Sequence, residues 1–255
     1  MIGASVSFIK EGRRSEVLPK VFAVGVGPGS PKFVTEVVSD IIKECDVVAG
    51  YEYTLKSISD LISGKKIYKV TMNNQEEIYQ KIASEQNWKK LLVPFTGDVN
   101  FSESEVVDRL VEIFGDVEIV PGVSSVQVAA SKARVPLDKS KVITMHVTTS
   151  IEEKKLELQK ALIDGFSVIL IPRPWPKMPE KHFMPSEISK YLQKNGFETA
   201  KIKVHVFENL TTDKETCFEG MVKDLEEREF SDLSVMVFNQ TRLDSYMNYK
   251  WQWKD

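Results

Sequence analysis

The chain has 255 residues, of which 42% are hydrophobic and 28% charged, and its formal net charge is −3. These values are typical of a globular protein with one large domain or two modest ones, and they argue against nonspecific nucleic-acid binding, which needs a strong basic surplus. No apolar run reaches the roughly 20 residues of a membrane span, and the apolar stretch within residues 1–20 is too short for a signal peptide. We therefore expect a cytoplasmic protein that binds neither membranes nor nucleic acid.

Short apolar runs alternate with amphipathic segments in the first half of the chain, which is the signature of an α/β protein. The pattern predicts strands at 21–26, 46–51, 66–70, 90–95 and 117–120. It predicts helices from Ser30 to Cys45, at 75–86, at 102–115 and within 121–133. Ser30 is the expected N-cap of the first helix, and Val37 and Val38 belong to the apolar face on which that helix is predicted to pack.

The same rhythm restarts after Pro136. Strands are predicted at 141–147, 166–172, 200–210 and 233–239, and helices at 151–165, 185–196 and 221–229. We expect a domain boundary between 135 and 141, where Pro136 and several charges separate the two α/β halves. The predicted organisation is therefore a leader or extra strand at 1–20, α/β domains at 21–138 and 139–242, and a tail at 243–255.

The cysteines and histidines do not form a metal-binding pattern. Cys45 and Cys217 lie far apart, each within an apolar pattern, and both are predicted to be buried, reduced thiols. The three histidines are also dispersed along the chain, at positions 146, 182 and 205. No metal site is predicted.

A glycine-rich segment follows the first predicted strand, and we call residues 25–30 the first glycine loop. Gly25 and Gly27 fit the first two positions of a dinucleotide-binding fingerprint, but Ser30 stands at the third. Pro28 removes a backbone N–H that a pyrophosphate would need, and Asp46 stands at the wrong end of the next strand to reach a ribose. A P-loop is excluded, while a nucleotide site and a turn without any ligand both stay open from this loop alone.

Two more such segments follow later strands of the first half. The second glycine loop (residues 97–101) begins with Gly97-Asp98 directly after a buried strand, and the third loop (residues 121–125) has Ser124-Ser125 at the start of a helix. Carboxyl ends of parallel strands are where ligands bind in such sheets. Taken alone, Ser124 fits a plain N-cap, but three such edges in successive units point to a binding site.

The order VGVGPGSP, then GD, then PGVSSVQVAA resembles the tetrapyrrole methyltransferases, which methylate precorrin-type macrocycles. The resemblance spans about residues 21–240 and is strongest to the branch that methylates C5 of cobalt-precorrin-7. It implies two α/β domains with the active site in the cleft between them. The sequence departs from the family pattern at Val99, where a proline is usual, and this departure puts the rigidity of the second loop in question.

The resemblance also implies a cofactor, a substrate and the residues that contact them. S-adenosylmethionine would contact Pro28, Gly97, Asp98, Phe101, Ser124, Ser125, Pro172 and Leu210. The cobalt-precorrin substrate would contact Gly27 and Gly29. Arg173 is the preferred cation for substrate carboxylates, with a solvated surface charge as the plainer interpretation. His146 is a further candidate for substrate contact, although the interpretation we favour for it is a structural histidine at a strand end. No catalytic base is assigned, because the donor is already activated and positioning does most of the work.

Other interpretations keep part of this picture. The same fold would serve methylation at another precorrin position or of a diphthamide precursor, and a non-catalytic module would bind the donor or the tetrapyrrole without turnover. Family members are typically homodimers, so we expect a homodimer here. A separate enzyme would then methylate C15 and decarboxylate the substrate.

Overall fold

The computed structural model describes residues 19–240 except 86, 102–103, 176–177 and 179–180. The predicted tail and the leader up to residue 18 lie outside this range. Within the described ranges, no helix combines the length and the apolar character that crossing a membrane would require.

Residues 20–120 form a parallel sheet with strand order β3-β2-β4-β1-β5. Its strands are β1 (Lys20–Gly25), β2 (Val47–Tyr51), β3 (Lys66–Val70), β4 (Lys90–Phe95) and β5 (Val117–Val120). The helices are α1 (Glu36–Glu44), α2 (Glu52–Ser57), α3 (Gln75–Glu85) and α4 (Ser104–Phe114). Apolar cores lie on both faces of the sheet, which explains why its central strands read as nearly continuous apolar runs.

Residues 140–238 form a mixed sheet with strand order β6-β7-β10-β8-β9. Its strands are β6 (Ser140–Thr144), β7 (Ser167–Ile171), β8 (Lys203–Glu208), β9 (Thr216–Met221) and β10 (Ser234–Phe238). Only β6 and β7 pair in parallel, and the other neighbours are antiparallel. Helices α6 (Glu152–Ile163) and α7 (Pro185–Lys194) contribute to the core on one face of this sheet.

Helix α5 (Ser125–Ala133) joins the two sheets. It follows β5 of the first sheet, yet its buried face packs against the second, where Ala129 and Ala130 share a core with Ile169 and Val237. The small side chains of α5 allow this close packing. The start of α5 therefore lies at the carboxyl edge of the first sheet while its body covers the second.

Several sequence predictions need correction. The first helix begins at Glu36 rather than near Ser30, because Thr35 provides the N-cap and accepts a hydrogen bond from Val38 N at 3.4 Å. Ser30 instead caps a short 3₁₀ turn, and Val37 is exposed. The helix predicted at 221–229 is only a 3₁₀ turn at 222–225, because residue 221 still pairs in β9.

The cysteine prediction is half correct. Cys45 is buried between α1 and the first sheet, as expected. Cys217 is exposed, because it lies on β9 at the edge of the second sheet, where most residues contact solvent.

Candidate active site

The three loops meet at one edge of the first sheet. They follow β4, β1 and β5, which are neighbours in the sheet and run parallel, so their carboxyl ends lie side by side. A Cβ atom added at Gly25 would lie 2.5 Å from the Gly97 carbonyl oxygen and 2.7 Å from the Gly122 amide nitrogen. No side chain fits between these backbones, so glycine is required where the three strands end.

Hydrogen bonds fix the first two loops to each other. Gly27 N donates to Gly97 O at 3.2 Å, and Gly97 N donates to Gly27 O at 2.7 Å. Both residues have positive φ angles, 83° and 78°, which favour glycine. These two bonds form an isolated antiparallel bridge between the first two loops, just beyond the end of the sheet.

Asp98 ties the second loop to the third. Its Oδ2 accepts a hydrogen bond from Gly122 N at 2.8 Å, and its Oδ1 accepts one from Asn100 N at 2.9 Å. The neighbouring Val99, where the family pattern has proline, is 1% exposed and packs into the core of the first sheet. Core packing and the Asp98 contacts together hold a loop whose rigidity the sequence had put in question.

The start of α5 lies beside the second glycine loop. A Cβ atom at Gly97 would be 3.8 Å from both Ser124 Cα and Ser125 N. Ser124 is the N-cap: its Oγ accepts from Val126 N at 3.2 Å, and its backbone N donates to the Gln127 side chain at 2.8 Å. Capping therefore engages the Ser124 hydroxyl, which agrees with the plainer of its two interpretations.

The remaining predicted donor contacts divide between the two halves. Pro28 is buried in the first glycine loop, and Phe101 packs against the core that α5 shares with the second sheet. Leu210, from the second half, is buried in that same core. Pro172 is buried just after β7.

At Gly29 the first glycine loop lies directly against residues of the second half. A Cβ atom there would lie 2.7 Å from Thr212 Cγ2 and 3.0 Å from Leu210 O. The close approach that Gly29 permits in this structure is therefore to the loop after β8. Contact with a substrate remains a prediction for Gly27 and Gly29.

Arg173 and His146 form a separate group around Trp175. Arg173 is 3% exposed, and its guanidinium donates to the carbonyl oxygens of Thr149 at 2.9 Å, Val147 at 3.3 Å and Lys181. It also lies 4.7 Å from the centre of the Trp175 ring. These contacts give Arg173 a structural role that holds loops together, and its predicted contact with substrate carboxylates stays untested.

His146 packs edge-on against the same ring, with centroids 6.3 Å apart. Part of the residue is exposed, but neighbouring atoms desolvate its imidazole, and this desolvation lowers its pKa. The negative charge of Asp232 opposes the shift, and the positive charge of Arg173 adds to it. A neutral imidazole is thus favoured near neutral pH. The predicted contact of His146 with substrate remains a prediction.

A cavity of about 390 Å³ lies between the two halves, next to the first glycine loop. Its walls come from that loop, from the end of α2 and the residues after it, and from the loop after β8. Among its lining residues are Gly29, Ser30, Lys56, Thr211, Thr212 and Asp213.

Sequence reasoning missed the contacts that the loop after β8 makes. The chain was predicted to stay extended through residue 210, but Asn209 and Thr211 have positive φ angles of 50° and 69° and turn it back. Lys132 on α5 pairs with Glu215 at 2.6 Å. Asn209 is a residue type that tolerates the left-handed region, but the β-branched Thr211 gives no local signal of it. The Lys132–Glu215 pair joins residues 83 positions apart, so no local pattern indicates it.

The structure is a two-sheet α/β protein in which three loops meet at the carboxyl ends of β1, β4 and β5, beside its second half. Residues 20–226 match the model of the tetrapyrrole (corrin/porphyrin) methylases, and the chain belongs to this family. The predicted family, fold class and assignment as a methyltransferase are thereby confirmed.

Two relatives with different named reactions match the chain at the same identity. The chain is 29% identical to a probable cobalt-precorrin-7 C(5)-methyltransferase of Methanocaldococcus jannaschii, over 86% of this chain and 97% of that protein. It is also 29% identical to the cobalt-precorrin-4 C(11)-methyltransferase of the same organism, over 82% and 81%. The crystal structure of the methyltransferase CobJ has a TM-score of 0.71 at 17% identity, covering 88% of this chain and 95% of CobJ. At that identity the structural likeness shows the fold alone.

Proposed function

We propose that the protein transfers a methyl group from S-adenosylmethionine to C5 of cobalt-precorrin-7 in cobalamin biosynthesis. Family membership supports a tetrapyrrole acceptor. The relative named for the C5 reaction is matched over nearly its whole length, which supports the position.

The observation that carries the proposal is the convergence of three loops on one sheet edge without intervening side chains. Because a Cβ atom at Gly25 or Gly122 would meet the backbone of the other loops, the three loops pack closely enough to form one continuous backbone wall. Pro28 in the first loop lacks an N–H, which suits a donor without phosphate groups better than it suits a dinucleotide. The residues therefore fit S-adenosylmethionine.

We infer that the donor lies against the loops at this edge, with contacts from Pro28, Gly97, Asp98, Phe101, Ser124, Ser125, Pro172 and Leu210. When bound, S-adenosylmethionine supplies an activated methyl group for an in-line displacement. The task of the chain is to orient donor and acceptor and to exclude water. Leu210 of the second half and helix α5, which share one core, would complete the walls of the site.

Asp98 acts by positioning in this proposal and does not act as a base. Both of its carboxylate oxygens already accept backbone hydrogen bonds, from Asn100 and Gly122. Through these two bonds Asp98 keeps the second and third loops in register. Its loss would therefore disorganise the donor site as a whole.

The C11 reaction is the second candidate, because the cobalt-precorrin-4 enzyme is matched at the same 29% identity. Incubation with S-adenosylmethionine carrying a ¹³C methyl group, and with either cobalt-precorrin-7 or cobalt-precorrin-4, separates the two. We expect a labelled product only from cobalt-precorrin-7, with the new methyl carbon bonded to C5 by NMR. Label at C11 of cobalt-precorrin-4 would instead establish the second candidate. The homodimer and the separate C15 enzyme remain predictions.

A further inference from the structure

The loop after β8 holds a residue in an unfavourable conformation. Thr211 has a φ of 69°, in the left-handed region that β-branched residues avoid. Its neighbours brace it: Thr212 N donates to Asn209 O at 3.1 Å, and the Thr212 hydroxyl donates to the same oxygen at 2.7 Å. Strain of this kind persists where surrounding contacts impose it, and it is typical of functional sites.

Thr211 connects the two halves of the molecule directly through its hydroxyl and indirectly through its backbone N. Its Oγ1 accepts a hydrogen bond from Ser30 N, in the first glycine loop, at 3.0 Å. Its own backbone N donates to Glu215 Oε2 at 2.7 Å. Glu215 in turn accepts from Lys132 Nζ at 2.6 Å through its other oxygen.

This chain of contacts spans the elements that form the proposed site. Lys132 lies on α5, the helix whose first residues contact the second glycine loop. The hydrogen bonds from Lys132 and Thr211 keep the pKa of Glu215 below its usual value, against the opposing effect of its partial burial. Ser30, Thr211, Glu215 and Lys132 thus link the first glycine loop to α5 by way of the second half.

We propose that Thr211 is a positioning residue for methyl transfer, whose hydroxyl fixes the first glycine loop against the second half of the cleft. The inference rests on the proposed function, because it assigns the loop's position to that reaction. Ser30 is partly exposed, so water would satisfy its N–H if Thr211 did not, and the contact adds little to global stability. Its effect is on where the loop lies.

Two substitutions separate the hydroxyl from the rest of the side chain. Thr211→Val keeps the β-branched shape and removes the acceptor, whereas Thr211→Ser keeps the acceptor. Thr216→Val is the control, because the Thr216 hydroxyl also makes a side-chain contact, donating to Glu208 at 3.0 Å, and this bond does not involve the glycine loops. All variants are made in the full chain.

The first readout is amide hydrogen exchange at Ser30, which needs no substrate. We expect Thr211→Val to raise the exchange rate of this amide about 10-fold, because the hydrogen bond that protects it is lost. Thr211→Ser and Thr216→Val should leave it within about 3-fold of wild type. Unchanged exchange in Thr211→Val would overturn the assigned contact.

The second readout is turnover with cobalt-precorrin-7, together with the affinity for S-adenosylhomocysteine. We expect kcat of Thr211→Val to fall about 10- to 100-fold through misplacement of the loop. Because Pro28 of the same loop is a proposed donor contact, the dissociation constant for S-adenosylhomocysteine should rise as well, and Thr211→Ser should restore both values. Wild-type kcat in Thr211→Val, or equal losses in Val and Ser variants, would overturn the positioning role. A wild-type chain with no turnover would instead overturn the proposed function.

Discussion

At each end of the first sheet an aspartate accepts hydrogen bonds from backbone amides, but the residues around the two aspartates differ. At the amino ends, Asp46 accepts hydrogen bonds from Lys89 N and Lys90 N at 2.8 and 2.9 Å. At the carboxyl ends, Asp98 accepts from the backbone N atoms of Asn100 and Gly122 at 2.9 and 2.8 Å. Each aspartate thus accepts hydrogen bonds from two backbone amides. Both donors to Asp46 lie on the neighbouring segment, whereas Asp98 binds one amide of its own loop and one of the third loop.

The surroundings of the two aspartates differ. The amino end also carries exposed ion pairs such as Lys66–Glu85 at 2.5 Å, which contribute little individually. The carboxyl end has bare backbone, where Gly25, Gly97 and Gly122 meet at distances that exclude a Cβ atom. The difference teaches that side chains tie the amino end together, whereas the carboxyl end, where we propose the donor site, is held by backbone packed against backbone.

Replacing Gly25 by alanine should cause the largest loss. The added Cβ would meet backbone atoms of the other two loops, which cannot rotate away, so we expect a destabilisation of about 3 kcal/mol or more. Chemical denaturation followed by circular dichroism measures it.

The control for this prediction is Gly64→Ala. Gly64 has a φ of +78° but nothing within 4 Å of an added Cβ, so only conformational strain of about 1–2 kcal/mol is expected. Equal losses at the two positions would mean that the loops can part, and the distinction between the two ends of the sheet would fail.

Arg173 extends the comparison to the second sheet. There a buried side chain holds neighbouring loops together, whereas in the first sheet backbone atoms of the loops contact one another directly. Arg173→Ala would leave the carbonyls of Val147, Thr149 and Lys181 without this donor. We expect a loss on the order of 3 kcal/mol in the free energy of unfolding.

Arg228→Ala is the matched variant, because Arg228 also donates to a carbonyl, that of Asp224, and lies 4.5 Å from the Phe218 ring, but at the surface. It should cost less than about 1 kcal/mol. An Arg173→Ala protein as stable as Arg228→Ala would contradict the structural role assigned to Arg173.

The smallest effect concerns the acid limb of stability at the amino end. The hydrogen bonds from the backbone N–H groups of Lys89 and Lys90 lower the pKa of Asp46. Its ionised form is therefore favoured in the folded state, and its stabilising contribution is complete above about pH 4 and is lost as the pH falls through the lowered pKa. Because Asp46 is exposed, the effect is small.

Urea denaturation of wild type and Asp46→Asn between pH 6 and pH 2 measures this contribution. The stability difference between the two proteins should shrink toward the acid end of the series. A difference that grows on acidification would contradict the assigned direction of the pKa shift.

Much of the first half could be predicted from sequence because its signals are local. Apolar runs marked β1 to β5, and glycines next to strand ends marked the three loops. Because parallel strands share a carboxyl edge, the sequence alone predicted that Gly27, Gly97 and Ser124 lie close together. The predicted start of the first helix was wrong, because Ser30 and Thr35 are both typical N-cap residues and only Thr35 precedes a regular helix.

The second half was less predictable because its decisive features are not local. The burial of Arg173 depends on carbonyls from three separate segments, and charge alone indicated a solvated or substrate-binding residue. The left-handed conformation of Thr211 depends on contacts with Ser30 and Glu215, which are distant or unremarkable in sequence. Tertiary contacts decided both positions.

The most direct test of the account is calorimetric titration of S-adenosylhomocysteine into wild type, Asp98→Ala and Asp46→Ala. The two variants each free two backbone amides of the same sheet, one pair at the carboxyl end and one at the amino end. We predict micromolar binding to wild type and Asp46→Ala, and a loss of at least about 10-fold in affinity for Asp98→Ala. Absence of binding to wild type, or equal affinity in both variants, would contradict the assignment of the donor site to the three loops.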